Sequence, residues 1–185
     1  YTHDDSQTTS DSFTYKANDG TADSNTATTS ITITAVNDAP VANTETGNGD
    51  EGATITTTLT ATDVDNTDPN TFPFTILTQP SSISGSIDES ASVTYNSGTF
   101  SKVVTYTHDD TQTTSDSFTY KAYDGYIDSN TATATIIINA INDPPEIESD
   151  YSTTTITDAV EGAVISTTIY AKDIDNSDPS SFDFN

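Results

Sequence analysis

The sequence has almost no positive charge and no cysteine. Four Lys and Arg residues stand against 29 Asp and Glu residues, which gives a formal net charge of −25. A chain this acidic is repelled by polyanions, so nucleic acid and anionic membrane surfaces are excluded as partners. Without cysteine, disulfide bonds and thiolate metal sites are excluded as well. No apolar run reaches the ~18 residues of a membrane-spanning helix, so we expect no membrane insertion in this window.

Helical periodicity is also lacking, because apolar residues alternate with polar ones along short segments. The residues expected to share a face are Ile55, Thr57, Leu59 and Ala61; Phe72, Phe74 and Ile76; Val93 and Tyr95; Val104 and Tyr106; Phe118, Tyr120 and Ala122; and Ala132, Ala134, Ile136, Ile138 and Ala140. Turn sequences such as Asp68-Pro69-Asn70 and Asn96-Ser97-Gly98 separate these segments. Six or seven short strands in roughly 100 residues predict an all-β protein built from antiparallel β-sandwiches of the Ig-like type.

The chain repeats itself. The segment from Tyr1 to Asp38 returns, with most residues identical, from Tyr106 to Asp143. The offset of 105 residues is too long for a solenoid, whose units have ~20 to 50 residues, and fits a sandwich domain of ~100 residues. The sequence therefore predicts a string of similar domains.

The register of the repeats predicts where these domains begin and end. Glu51-Gly52, near the start of the middle copy, recurs at Glu161-Gly162, near the end of the chain. The first copy lacks this early motif and the last copy lacks the later ones, so only the middle copy is whole. We expect residues 1–39 to be the C-terminal part of one domain, residues 40–144 a complete domain, and residues 145–185 the N-terminal part of a third. The joints are short and end in proline, which favours neighbours held end to end. The chain looks like a window from a longer array.

Acidic residues recur at equivalent positions of the copies, mostly near the ends of the expected strands. These positions are Asp4, Asp5, Asp109 and Asp110; Asp19 and Asp124; Asn37-Asp38 and Asn142-Asp143; Glu51 and Glu161; and Asp63, Asp65, Asp173 and Asp175. Such oxygen ligands suit Ca²⁺, which takes about 6 to 8 oxygens in irregular geometry, whereas Mg²⁺ demands a tighter octahedron. Zinc would need His or Cys, and we expect His3 and His108 to be exposed loop histidines.

Four motifs in this order resemble a known family. They are Glu51-Gly52, Asp63-Val64-Asp65, Asp124-Gly125 and the Asn-Asp-x-Pro joint at residues 142–145. The combination is similar to the cadherin-like tandem repeats of large bacterial surface adhesins, which are cadherin/VCBS-like Ig-fold domains, and more distantly to cadherin ectodomains. The resemblance covers the whole window and implies calcium at each joint. The ligands that it implies are Asn37, Asp38, the carbonyl oxygen of Ala39, Asp63, Asp65 and Asp124 at the first joint, and Glu51, Asn142, Asp143, Asp173 and Asp175 at the second.

The sequence departs from cadherins in one motif. Cadherins carry an Asp-Arg-Glu motif that supplies two carboxylates from the preceding domain, and this chain has no arginine. The candidate substitutes are Asp109-Asp110 and Asp116, and Asp4 and Asp5, at the equivalent positions of the preceding copy, are further candidate metal ligands. We therefore expect fewer calcium ions per joint than in cadherins.

The function expected from these features is structural. We expect a non-enzymatic, calcium-binding spacer or adhesive repeat of an extracellular surface filament or giant adhesin, in which calcium rigidifies the joints. Its partners would be calcium, neighbouring repeats and other copies in a filament. The alternative is a carbohydrate- or ice-binding module that uses Thr-rich sheet faces. An enzyme is disfavoured, because a catalytic pair of acids occupies one cleft and these acids recur in every repeat.

Overall fold

The computed structural model describes residues 1–4, 6–84, 86–147, 160–162, 164–165, 168 and 170–175. Asp5 and most of the third predicted domain therefore lie outside the described residues. The strands are β1 Ser10–Tyr15, β2 Ala27–Thr32, β3 Val41–Ala42, β4 Glu45–Asp50, β5 Thr54–Thr62, β6 Phe74–Thr78, β7 Thr94–Asn96, β8 Thr99–Thr107, β9 Ser115–Ala122, β10 Ala132–Asn139, β11 Glu146–Ile147 and β12 Ala171–Lys172, with a 3-10 turn at Pro69–Thr71. Among these residues, no helix has the length and apolar character to cross a membrane.

Two four-stranded sheets form the middle of the chain. One has the order β4-β10-β9-β6 and the other the order β3-β5-β8-β7. The predicted all-β sandwich is confirmed, with one difference. Strand β4 pairs with β10 in parallel, whereas the other pairs in both sheets are antiparallel. The sandwich is therefore mixed at one edge and not purely antiparallel.

The core lies between the two sheets, where the alternating apolar residues meet. Leu59 on β5, Phe100 on β8 and Tyr120 on β9 are fully buried. Phe72 stacks on Phe100 with ring centroids 3.6 Å apart, but it follows the 3-10 turn and does not lie on a strand as predicted. Ala140 lies beyond the end of β10 and is exposed. The alternation otherwise predicts the inward face correctly.

Strand β4 was not predicted, because none of its six residues is a large apolar one. A Cβ atom added to Gly47 would lie 3.0 Å from Ile136 Cδ1, and one added to Gly49 would lie 2.4 Å from Ile55 Cγ1. The backbone of β4 therefore packs directly on the core, as only glycine allows. The strand delivers Glu51, the residue that follows it, to one end of the sandwich.

The hairpin of β1 and β2 is a structural copy of β9 and β10. Phe13 pairs with Thr29 just as Phe118 pairs with Ala134, one repeat later. Phe13 is half exposed whereas Phe118 is buried, because the described residues supply a facing sheet only for the second hairpin. The predicted domain boundaries, which concern longer stretches of chain, stay a prediction.

Candidate functional site

The first joint is the segment around Asn37 and Asp38 together with the acidic residues that it contacts. Asn37 Nδ2 donates to Asp124 Oδ2 at 2.8 Å. The backbone N–H of Asp38 donates to Asp65 Oδ2 at 2.5 Å. The structure thus places four of the predicted ligands in two contacting pairs, which are separated by 87 and 27 residues of sequence. Ala39 is exposed on the same segment, and the role of its carbonyl oxygen stays a prediction.

Asp63 lies immediately after strand β5 and contributes a carboxylate with one unused oxygen. Its Oδ1 accepts hydrogen bonds from the N–H groups of Asp65 and Asn66 at 2.7 and 2.9 Å. Its Oδ2 is buried and has no hydrogen-bond partner, and no other buried side-chain polar atom in the described part of the chain shares this state. A buried oxygen without a partner is costly, so it requires an explanation. A hard cation would satisfy it, and the donor set here consists of the oxygens that calcium prefers.

Asp124 follows strand β9 and is only 4% exposed. Its Oδ1 accepts from the N–H groups of Tyr126 and Ile127, both at 2.7 Å. Burial acts to raise the pKa of Asp124, but the hydrogen bonds from Asn37, Ile127 and Tyr126 outweigh it and hold the pKa below its ordinary value. The first joint therefore contains a largely buried carboxylate that is ionised at neutral pH.

The second joint repeats this construction around Asn142 and Asp143. The N–H of Asp143 donates to Asp175 Oδ2, and the N–H of Asp175 donates to Asp173 Oδ1 at 2.8 Å. Desolvation, followed by the negative charges of Asp175, Asp110, Glu51 and Asp173, raises the pKa of Asp143. Like charges therefore crowd at this joint, and a bound cation would relieve their repulsion.

Glu51 is 8% exposed, and both of its oxygens are engaged. Oε2 accepts from the N–H of Ile141 at 3.2 Å, and Oε1 accepts from Gln112 Nε2 at 2.7 Å. Gln112 Nε2 also donates to Asp143 Oδ2 at 3.2 Å. Sequence reasoning missed Gln112, although the recurrence of glutamine at position 7 was a visible signal.

The prediction that His108 is an exposed loop residue is wrong, because it is 2% exposed. Its Nδ1 accepts from the N–H groups of Gly52 and Asp110 at 3.1 and 3.2 Å. The ring proton of the neutral form must then be on Nε2, which lies 2.9 Å from Thr113 Oγ1. In this tautomer Nε2 carries a proton and cannot accept one from the Thr113 hydroxyl, so His108 and Thr113 are not arranged as a general base and a nucleophile. Its role is to hold the turn at Gly52 against the loop that carries Asp110.

The candidate substitutes for the missing cadherin motif have different surroundings. Asp4 Oδ1 and Asp109 Oδ1 each accept a hydrogen bond within their own loops, from Ser6 and Thr111. Asp110 lines a cavity at the second joint together with Asp143. These placements leave the metal-binding roles of Asp4, Asp109 and Asp110 as predictions.

Asp116 is not at a joint, although the sequence made it a candidate. It is 9% exposed, and its carboxylate accepts from the N–H groups of Ser81, Ser82 and Ser117 at 3.1, 2.7 and 2.7 Å. Tyr106 Oη donates to the same group at 3.3 Å. This carboxylate holds the loop before β7 against the start of β9, and both of its oxygens already accept hydrogen bonds.

The predicted ligands are linked by hydrogen bonds but are not gathered around a single point. Within the described residues, no three His, Asp or Glu side chains are already arranged to hold a metal ion. The calcium site residues therefore stay a prediction.

A family model described as a bacterial Ig domain matches residues 37–137 of the chain. This stretch contains both four-stranded sheets except the last residues of β10, and it includes the contact between Asn37 and Asp124. No curated protein matches the chain.

Several solved structures are similar to parts of the chain. The protocadherin GammaB4 extracellular domain is 19% identical with a TM-score of 0.48, over 91% of this chain and 29% of that one. The surface layer protein SbsC, domains 1–6, is 14% identical with a TM-score of 0.36, over 75% and 18%. The endo-fucoidan hydrolase MfFcnA4 from glycoside hydrolase family 107 is 21% identical with a TM-score of 0.33, over 71% and 18%. The chain spans less than a third of the length of each, and likenesses at this level carry no argument about function.

Proposed function

The chain belongs to the bacterial Ig domain family, and from this premise we propose that it is a non-enzymatic, calcium-binding structural or adhesive repeat of an extracellular surface filament or giant adhesin. The observation that carries the proposal is the buried Asp63 Oδ2, which has no hydrogen-bond partner and lies at a joint rich in carboxylates. Its partners are calcium, the neighbouring repeats and other copies of the chain in a filament.

The duplication of the joint supports this proposal. In both copies the N–H of the linker aspartate, Asp38 or Asp143, donates to the second aspartate of the Asp-x-Asp motif, Asp65 or Asp175. A solvated surface charge has no reason to recur with the same backbone partner. The repeated contact therefore favours a role in joining successive units over one in general solubility.

Electrostatics explains how such a joint would work. With 29 acidic residues and four basic ones, neighbouring units repel each other where Asp63, Asp65 and Asp124 face the linker. Calcium would supply two positive charges shared by oxygens on both sides of the joint. Because the ligands come from segments distant in sequence, an ion bound to all of them would hold these segments together and stiffen the joint. No chemical reaction is part of this function.

The carbohydrate- or ice-binding alternative receives no comparable support. Thr54, Thr56 and Thr58 are exposed on β5, as expected for any strand with one face toward water. No aromatic residue that could stack on a sugar accompanies these three threonines on the outward face of β5.

The substitution Asp63→Asn tests the proposal. It keeps the shape of the side chain but removes the charge, so calcium affinity at the first joint should fall about tenfold or more, as expected for the loss of one carboxylate ligand. Without calcium, the thermal midpoint should change little, because the loss of charge repulsion is offset by an amide NH₂ group that takes the place of the orphan oxygen. Isothermal titration calorimetry and thermal unfolding of the full chain measure both effects.

The control for this experiment is Thr58→Ala, which lies on the exposed face of the preceding strand and should change neither quantity. Equal calcium binding by the wild-type chain and Asp63→Asn would show that Asp63 is not a ligand. Absence of calcium binding by the wild-type chain at millimolar calcium would refute the proposed function itself.

A further inference from the structure

The side-chain amide of Gln112 lies between two carboxylates of the second joint. Its nitrogen is 2.7 Å from Glu51 Oε1 and 3.2 Å from Asp143 Oδ2. An amide NH₂ group has two hydrogens, so it can donate to both oxygens at once. Glu51 is more than nine-tenths buried, and its other oxygen is held by the N–H of Ile141. Gln112 therefore tethers the linker to the end of the preceding sandwich.

The first joint has an equivalent glutamine. Gln7 Nε2 donates to Asp38 Oδ2 at 2.9 Å, and Asp38 occupies the repeat position of Asp143. In each joint the backbone N–H of the linker aspartate donates a hydrogen bond to Asp65 or Asp175. A chain of hydrogen bonds thus runs across each joint, from the glutamine through the linker aspartate to the Asp-x-Asp motif.

We infer that Gln112 is a built-in competitor of the cation at the second joint, and that Gln7 is its counterpart at the first. This inference rests on the proposed calcium function and adds a regulatory residue to it. The amide hydrogens partly offset the repulsion between Glu51 and Asp143, which are the same two groups that a bridging cation would hold. The amide nitrogen lies between Glu51 Oε1 and Asp143 Oδ2, at the position that a cation bridging these two oxygens from the same side would occupy, so such a cation has to displace it. The strength of the two amide bonds then sets how much calcium is needed to stiffen the joint.

The substitution Gln112→Met distinguishes a competitor from a ligand. Methionine is close to glutamine in length and is flexible, but it has no N–H to donate. If the amide competes with calcium, its removal tightens calcium binding at the second joint. If instead the amide oxygen turns toward the ion as a ligand, its removal weakens binding. The direction of the change therefore decides between the two roles.

Calcium titration calorimetry of the full chain provides the measurement, with Gln112→Met, Gln7→Met and the double variant compared with wild type. Net hydrogen-bond contributions of about 0.5–1.5 kcal/mol predict a two- to tenfold tightening at one joint for each single variant and at both joints for the double variant. Thr58→Ala serves as the neutral control. Unchanged or weaker binding in Gln112→Met, with wild-type binding intact, overturns the inference alone. No binding by wild type overturns the proposed function and the inference together.

Side-chain NMR supplies an independent readout. On calcium saturation, the NH₂ resonances of Gln112 should shift toward those of a free amide, because the nitrogen leaves its two carboxylates. Gln79 is the internal control, since its amide oxygen accepts from the N–H of Ile87 away from both joints and its resonances should not move. Gln112 resonances that stay in place while the Asp143 backbone amide shifts would contradict displacement.

Discussion

At the scale of single residues, the aspartates of this chain divide into two groups with opposite chemistry. Asp116 and Asp124 are largely buried, and their oxygens accept several hydrogen bonds from the chain itself. Asp63 has an oxygen that nothing in the described chain satisfies. The internal hydrogen bonds of Asp116 and Asp124 stabilise the sandwich, whereas the free oxygen of Asp63 is suited to an external cation. A count of acidic residues alone does not separate the two groups.

The internal group makes stability dependent on acid pH. Burial acts to raise the pKa of Asp116, but hydrogen bonds from Ser82, Ser81, Ser117 and Tyr106 outweigh it and hold the pKa below its ordinary value of 3.8. A group whose folded pKa is lowered contributes stability that is fully present above the unfolded value and is lost as pH falls through the folded value. We therefore expect the free energy of unfolding to fall as the pH drops below about 4.

Urea denaturation at several pH values between 6 and 2 measures this contribution, and Asp116→Asn should flatten part of the acid slope. The matched control is Asp11→Asn, at the equivalent position of the first copy, where the side chain is exposed. Parallel pH profiles for the wild type and Asp116→Asn would show that this carboxylate contributes no linkage.

At the scale of elements, strand β4 is the least expected part of the fold. It pairs with β10 over six residues, from Glu45 to Asp50, and its close approach to β5 depends on glycine. The strand also places Glu51 beside the linker that leaves the sandwich. The stability of this edge and the geometry of the second joint are therefore coupled through one short strand.

The substitution Gly49→Ala should destabilise the sandwich by roughly 1–3 kcal/mol, the usual range for overpacking a core. The new Cβ would lie 2.4 Å from Ile55 Cγ1, which is an inner atom of the side chain and cannot simply swing away. Chemical denaturation monitored by circular dichroism gives the change in free energy. Thr46→Ala, at an exposed position of the same strand, is the control and should cost far less. Equal stabilities of the two variants would mean that β4 does not press on the core.

At the scale of the whole molecule, net charge opposes compact packing of successive units. A formal charge of −25 on 185 residues produces repulsion that calcium at the joints would neutralise locally. The sandwich core, built from Leu59, Phe100, Tyr120 and their neighbours, lies away from the joints. Ion binding and core stability should therefore respond separately.

Removal of calcium should accordingly soften the joints before it unfolds the sandwich. Small-angle scattering of the chain with calcium and with a chelator should show a smaller maximum dimension in the chelated sample. Circular dichroism should show that the β-structure persists. Simultaneous loss of both signals would mean that the metal is integral to the fold and not confined to the joints. Sodium chloride at matched ionic strength controls for simple screening.

Local patterns in the sequence predicted strands β5 to β10, the sandwich class and the motifs of the two joints. Alternation along β5, β9 and β10 is a property of neighbouring residues, so it can be read without a structure. The repetition of Asn37-Asp38 at Asn142-Asp143 likewise predicts the linkers from sequence alone.

Only the tertiary structure decided which side chains are buried and which of them contact each other. The burial of His108, the placement of Gln112 between Glu51 and Asp143, and the unpaired oxygen of Asp63 each depend on contacts between segments distant in sequence. Strand β4 could not be predicted for the same reason, since its glycines matter only because another sheet lies against them. Hydrogen bonding and close packing are set by three-dimensional proximity, which local composition does not contain.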